Sequence, residues 1–206
     1  FSLTYLEDRP VLFMGLDQVR ELSHRTQTRI LRERPFHSLP DFLIRVDPRP
    51  QEAENLIRCG ALDGFGSIPN LLQQLKEGFW QDGQLPLFPP AEAPPVEGDW
   101  GLKENVSAQE EILGVGVEAH PLELIQQQIT ASEALTTVEA AGRIGERVRV
   151  AGMRFSWRRS RDQDGDFIYR MALEDLEGNL DVVISESVHS RKRGIYSGKA
   201  PILIEG

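Results

Sequence analysis

The stretch 147–173, RVRVAGMRFSWRRSRDQDGDFIYRMAL, is where the hydrophobic period of this sequence changes. Arg147, Val148, Arg149 and Val150 alternate polar and apolar, and Met153, Phe155 and Trp157 then alternate in the opposite phase. A period of two marks a half-buried strand. The phase change predicts a β-bulge across Ala151-Gly152, because one extra residue swaps the faces and glycine tolerates the kink. RDQDG, 161–165, reads as a turn, and the strand after it puts Phe167, Tyr169, Met171 and Leu173 on one face. EDLEGN, 174–179, turns again into a third strand, LDVVI. A short helix over Ser185 to Arg193 and a fourth strand in PILIEG complete the chain. Three antiparallel strands, a helix and a strand follow the order of an OB-fold, a five-stranded Greek-key barrel. Residues 142–206 are therefore expected to form an antiparallel OB-fold β-barrel lacking its last strand.

Upstream of this region the period is helical, so the expected class is α+β in two parts. Residues 1–79 read as an all-α domain. Leu16, Val19, Leu22, Ile30 and Leu31 recur at helical spacing, which predicts one helix from Gly15 to Arg34, closed by Pro35. Ser38 is placed to cap LPDFLIRV, with Pro40 in the first turn where it forfeits no bond. A helix over Gln51 to Cys59 stops at Gly60, and Ser67 precedes IPNLLQQLKEGF. Residues 80–106 read as a linker: Trp80 to Trp100 holds five prolines, four acids and no base. Residues 107–141 read as a short helical connector, opened by a Ser107-x-x-Glu110 capping box and continued by PLELIQQQI after His120.

The formal charge of −9 is unevenly spread. Residues 1–79 carry net −1, residues 80–141 net −10 and residues 142–206 net +2, so the two ends can hold basic patches despite the overall acidity. No apolar run reaches the ~18 residues of a membrane span, and the first residues form no signal-peptide pattern. The single cysteine, Cys59, excludes an internal disulfide framework and fits a reducing cytoplasm. The chain opens on Phe1 instead of Met, which fits a piece of a longer protein.

Catalytic patterns are weak. His24, His37, His120 and His189 have no metal-ligand spacing. Asp162, Asp164 and Asp166 begin like a calcium loop, but glycine falls at the fourth position and Leu173 stands at the twelfth, which favours a solvated hairpin turn. No phosphate loop or nucleophile elbow occurs. Neither catalytic site nor bound metal nor cofactor is expected in this segment.

Two binding features are stronger. RFSWRRSR, 154–161, interleaves arginines with aromatics, as single-strand binding requires: guanidinium groups track phosphates and rings stack bases. The candidate single-stranded-DNA residues are Arg154, Trp157, Arg158, Arg159 and Arg161. The competing reading makes the aromatics core and the arginines a solvated hairpin tip. Arg191, Lys192 and Arg193 add a second basic spot. The other feature is GQLPLFPP, 83–90, where Leu85, Leu87 and Phe88 stand among prolines. In an extended segment Gln84 offers its amide to backbone groups, while burial of Leu87 and Phe88 yields roughly 3–6 kcal/mol. The competing reading folds these side chains back onto the helical domain.

The series PFHSLPDFLIRVD, LIRCGALDGFG, QLPLF, EEILGVGVEAHPLEL, VRVAGM and ALEDLEGNLDVVI resembles, in order, the C-terminal region of the bacterial family C DNA polymerases. That family comprises the DNA polymerase III alpha subunit and its error-prone relatives. The resemblance implies a helix-hairpin-helix domain for duplex DNA, an OB domain near the single-stranded template, and a sliding-clamp-binding peptide in the linker. Gln84, Leu85, Leu87 and Phe88 match that peptide position by position. It also implies replisome partners, a bacterial cytoplasmic location by the nucleoid, and a Mg2+-dependent nucleotidyl transfer carried out upstream of this segment. One departure stands out: the family's hairpin reads Gly-hydrophobic-Gly, and here Glu21, Leu22 and Ser23 occupy it. A carboxylate repels phosphate, and losing both glycines removes backbone freedom. The alternative function is a structural or protein-interaction module of such a polymerase, without direct DNA contact.

Overall fold

The computed structural model describes residues 2–6, 8–77, 98–192, 194–195, 198 and 200–206. The QLPLF stretch with its four candidate clamp residues lies outside them, as does Arg193. The chain divides into two compact units, Phe1–Ala119 and His120–Gly206. The expected connector, 107–141, is thereby shared between them.

The first unit opens with an antiparallel hairpin, β1 (Ser2–Leu6) and β2 (Arg9–Phe13). This corrects the all-helical expectation for residues 1–79. Among the described residues the α-helices that follow are α1 (His24–Glu33), α2 (Leu39–Val46), α3 (Pro50–Arg58), α4 (Ile68–Lys76) and α5 (Leu102–Ile112). Their core gathers Leu22, Leu39, Phe42, Val46, Leu56, Ile57, Leu71 and Ile112.

The predicted Gly15–Arg34 helix is broken. Leu16–Gln18 forms a 3₁₀ turn, Glu21 takes a left-handed φ of 63°, and α1 starts only after Ser23. Leu16, Val19 and Leu22 lie three apart, a spacing that a 3₁₀ turn satisfies as well as an α-helix does. Burial of Val19 and Leu22 then selects the turn. The turn is held from outside by the Arg20 N–H, which donates to the Ile112 carbonyl (3.1 Å). Ser38 caps α2 as expected, accepting from the Asp41 N–H (3.2 Å). Gly60, after α3, takes the left-handed φ of 82° that suits a helix end. The Ser107–Glu110 capping box is not one: both residues lie inside α5, which is capped by Gly101. The buried face of Val106, Gln109 and Ile112 extends the helix upstream of the local signal.

The second unit begins with the short helices α6 (Gln126–Ala131) and α7 (Thr137–Ala141). Then come β3 (Arg149–Arg161), β4 (Phe167–Glu174), β5 (Asn179–Ser185), α8 (Glu186–Arg191) and β6 (Ile202–Glu205). The four strands form one antiparallel sheet in the order β5-β4-β3-β6. It curls into a half-barrel, an incomplete OB-fold as the strand order implied. Val150, Tyr169, Met171, Leu173 and Ile184 fill its inner face.

The bulge is displaced from its predicted position. The extra residue is Phe155, between Arg154 (opposite Leu173) and Ser156 (opposite Ala172). Gly152 has another function. A Cβ there would lie 2.6 Å from Leu173 Cγ and 2.7 Å from the Glu174 carbonyl, so glycine lets β3 approach β4.

Candidate nucleic-acid interface

The arginine-rich half of β3 is sorted by its pairing with β4. Residues directly opposite in an antiparallel pair share a face. Trp157 opposes Met171, Arg159 opposes Tyr169 and Arg161 opposes Phe167, so these three lie on the inner-face register. Trp157 is half-buried against the core, 5.3 Å from the Tyr169 ring, which itself stacks 3.7 Å from His189. The guanidinium groups of Arg159 and Arg161 lie 3.5 and 4.2 Å from the Phe167 ring centroid. Arg161 also donates to the Gly165 carbonyl (2.6 Å), closing the hairpin. Asp162 Oδ1 accepts from the Asp164 and Asp166 N–H groups (3.0 and 2.9 Å), so a single carboxylate holds this turn through its backbone. Arg154 lies before the bulge and reaches the Gly198 carbonyl (3.5 Å).

Arg158 is on the other face, directly opposite Arg170, and Arg170 in turn opposes Val183 on β5. All three are exposed. Among the described residues neither arginine has a hydrogen-bonded or ion-paired carboxylate. The flanking cross-strand rows are Ser156, Ala172 and the acidic Asp181 on one side and Ser160, Ile168 and Ser185 on the other. The bulge leaves Phe155 70% exposed beside this face. The five predicted residues thus do not share one surface, and Arg170 and Phe155 were missed as candidates. The outward side of Arg170 is readable from the Tyr169–Met171 alternation, whereas its pairing with Arg158 needs the register.

The unit is locked near this sheet by Asp175. Burial favours its neutral form, but bonds from the Thr137 N–H and hydroxyl (2.6 and 2.7 Å) and from the Glu177 and Gly178 amides lower its pKa.

In the first unit the hairpin Glu21-Leu22-Ser23 leads into α1. Glu21 adopts the left-handed backbone that ordinarily favours glycine, at φ 63°. Ser23 caps α1, its Oγ accepting from the Thr26 N–H (3.3 Å). The Ser23 N–H donates to Glu52 Oε1 (2.8 Å), and the Thr26 hydroxyl and Arg49 N–H donate to Glu52 Oε2 (2.8 and 2.7 Å). Glu52 is 1% exposed. Burial alone would raise its pKa, but these hydrogen bonds outweigh it and hold the pKa at about 2. An internal carboxylate thus occupies the Ser23 N–H of this hairpin. Arg25 and Arg29 converge on Asp47 (2.5 and 3.0 Å) and hold its carboxyl below the usual range. Their charge is largely spent within the unit.

Among the described residues no group of three or more His, Cys, Asp or Glu could hold a metal ion, and no helix is long and apolar enough to cross a membrane. Cys59 packs partly against the first core, and burial raises its thiol pKa.

Residues 1–70 match a helix-hairpin-helix motif family. The chain is 30% identical over 203 residues to the error-prone DNA polymerase of Corynebacterium glutamicum, covering 94% of this chain and 18% of that protein. It is 28% identical over 194 residues to the DNA polymerase III subunit alpha of Halalkalibacterium halodurans (87% and 17%). To the same subunit of Thermus aquaticus it is 29% identical over 196 residues (84% and 16%). The chain therefore spans less than a fifth of the length of these relatives. With the hairpin motif at its front and polymerase relatives along most of its length, the likeness shown is to the C-terminal region of the bacterial family C DNA polymerases.

Proposed function

We propose that this chain is the accessory C-terminal region of a bacterial DNA polymerase III alpha-type or error-prone subunit, and that its second unit engages single-stranded DNA along the β3–β4 outer face. The observation that carries this reading is the Arg158–Arg170 pair. Like charges directly opposite on a sheet are destabilising, and an anion lying across them converts that cost into affinity. Exposed Phe155 supplies a stacking surface beside the pair. Arg159 and Arg161, on the other face of β3, and Arg154, before the bulge, lie outside this outer-face pair, and Trp157 stiffens the sheet from its inner side. Gln84, Leu85, Leu87 and Phe88 form the sliding-clamp peptide in this reading. Nucleotidyl transfer and its Mg2+ belong to the longer polypeptide, in the bacterial cytoplasm.

The test is a titration with oligo-dT at several salt concentrations. Arg158→Ala and Arg170→Ala each weaken binding and flatten the salt slope by about 0.7, the loss of one phosphate contact on a single strand. Wild-type protein that does not bind oligo-dT at low salt overturns the DNA reading. That result favours the interaction-module alternative, which the stacking of Arg159 and Arg161 on Phe167 also suits.

A further inference from the structure

Around the Arg158–Arg170 pair, the corners of the outer β3–β4–β5 face differ in charge. Phe155, 70% exposed, marks the bulge corner on β3. Ser185, exposed and uncharged, marks the opposite corner on β5, and Ile168 and Ser160 complete its row. Glu186, the next residue, opens α8, which leans on the inner side through the His189–Tyr169 stack. The other two corners are acidic. Exposed Asp181 on β5 opposes Ala172 one row from Arg170, and Glu174 stands in the following row. Asp164 and Asp166 are exposed at the tip of the β3–β4 hairpin.

Asp181 is a diagonal neighbour of Arg170, with a Cβ separation of ~7–8 Å. Among the described residues the two form no ion pair. A phosphate seated on the arginines lies within about one Debye length of this carboxylate, ~8 Å at physiological salt.

We propose that single-stranded DNA crosses this face on the diagonal from Phe155 over the arginine pair to Ser185, and that Asp181 closes the other diagonal. This path rests on the single-strand reading of the same face. A nucleic-acid backbone is a polyanion, so a route between the acidic corners meets repulsion at both ends. The open diagonal offers a stacking ring at one end and a neutral hydroxyl at the other. With strands ~4.8 Å apart and a rise of ~3.4 Å per residue, it is roughly 17 Å long. That length suits the lower end of the ~4–16 nucleotides that an OB fold covers.

Photo-crosslinking of the 206-residue chain to oligo-dT tests the path. A benzophenone side chain placed at Ser185 should capture the oligonucleotide several-fold more efficiently than one at Asn179, which lies on the same face of β5 beyond Asp181. Asp181→Asn should tighten binding about twofold to threefold at low salt, as one charge ~8 Å away in water requires, and should raise capture at Asn179. Glu177→Gln removes the same charge from the exposed turn after β4 and should change neither reading. Equal capture at Ser185 and Asn179, with binding that still needs Arg158, overturns the path and leaves the single-strand reading standing. An equal gain from Glu177→Gln does the same, because the effect is then one of net charge. Wild-type protein that binds no oligo-dT at low salt overturns both.

Discussion

Glu52 is the side chain on which the front of the first unit converges. It binds the Ser23 amide, the Thr26 hydroxyl and the Arg49 amide, joining the start of α1 to the start of α3. Its folded pKa of about 2 lies below the ordinary 4.5. The stability it contributes, about 3 kcal/mol, is therefore fully present above pH 4.5 and lost as pH falls toward 2. Glu52→Gln should cost about 2 kcal/mol at pH 7, because charge-assisted bonds become neutral ones. Urea unfolding at pH 7 and pH 3 checks this: the gap between variant and wild type should shrink in acid. Glu21 is the other decisive residue. A side chain at φ 63° is strained, so Glu21→Gly should raise stability by about 1 kcal/mol in the same assay. It also removes the carboxylate facing any phosphate at the hairpin, so duplex affinity should rise, as measured by fluorescence anisotropy.

At the scale of the element, β3 joins two functions by two irregularities. Gly152 permits close approach at its buried end, and the Phe155 bulge changes which residues face outward in its second half. Gly152→Ala should destabilise the second unit by about 1–3 kcal/mol, because the atoms it meets include the Glu174 backbone oxygen and cannot retreat easily. A thermal melt measures the loss. Arg158→Ala tests the same strand from its exposed face. Removing one of two opposed cations should leave the melt unchanged or slightly raised, even as oligo-dT affinity drops. A substitution that lowered both together would make Arg158 a structural residue.

At the scale of the whole molecule, the compact second unit, residues 120–206, should bind oligo-dT when expressed alone and keep its dependence on Arg158. Retention of binding only in the complete chain would overturn the location of the interface. For the clamp peptide, Phe88→Ala should abolish co-elution with the cognate sliding clamp in size-exclusion chromatography, and unchanged co-elution would remove that assignment. Much of the architecture was legible because its signals are local. Period-two alternation announces β3 and β4, and Ser38 and Gly60 bound their helices as hydrogen-bonding and left-handed backbone require. The broken Gly15–Arg34 helix was illegible because a three-residue spacing fits two kinds of helix, and only packing against the core chooses between them. By itself the sequence determined the strand order, most helix ends and the concentration of arginines in 154–161. Tertiary structure alone decided that Phe155 is the bulge, that Arg158 meets Arg170, and that Glu52, 29 residues from Ser23, fills its amide. Strand register and buried charge pairing arise from contacts between distant residues, and no local period encodes them.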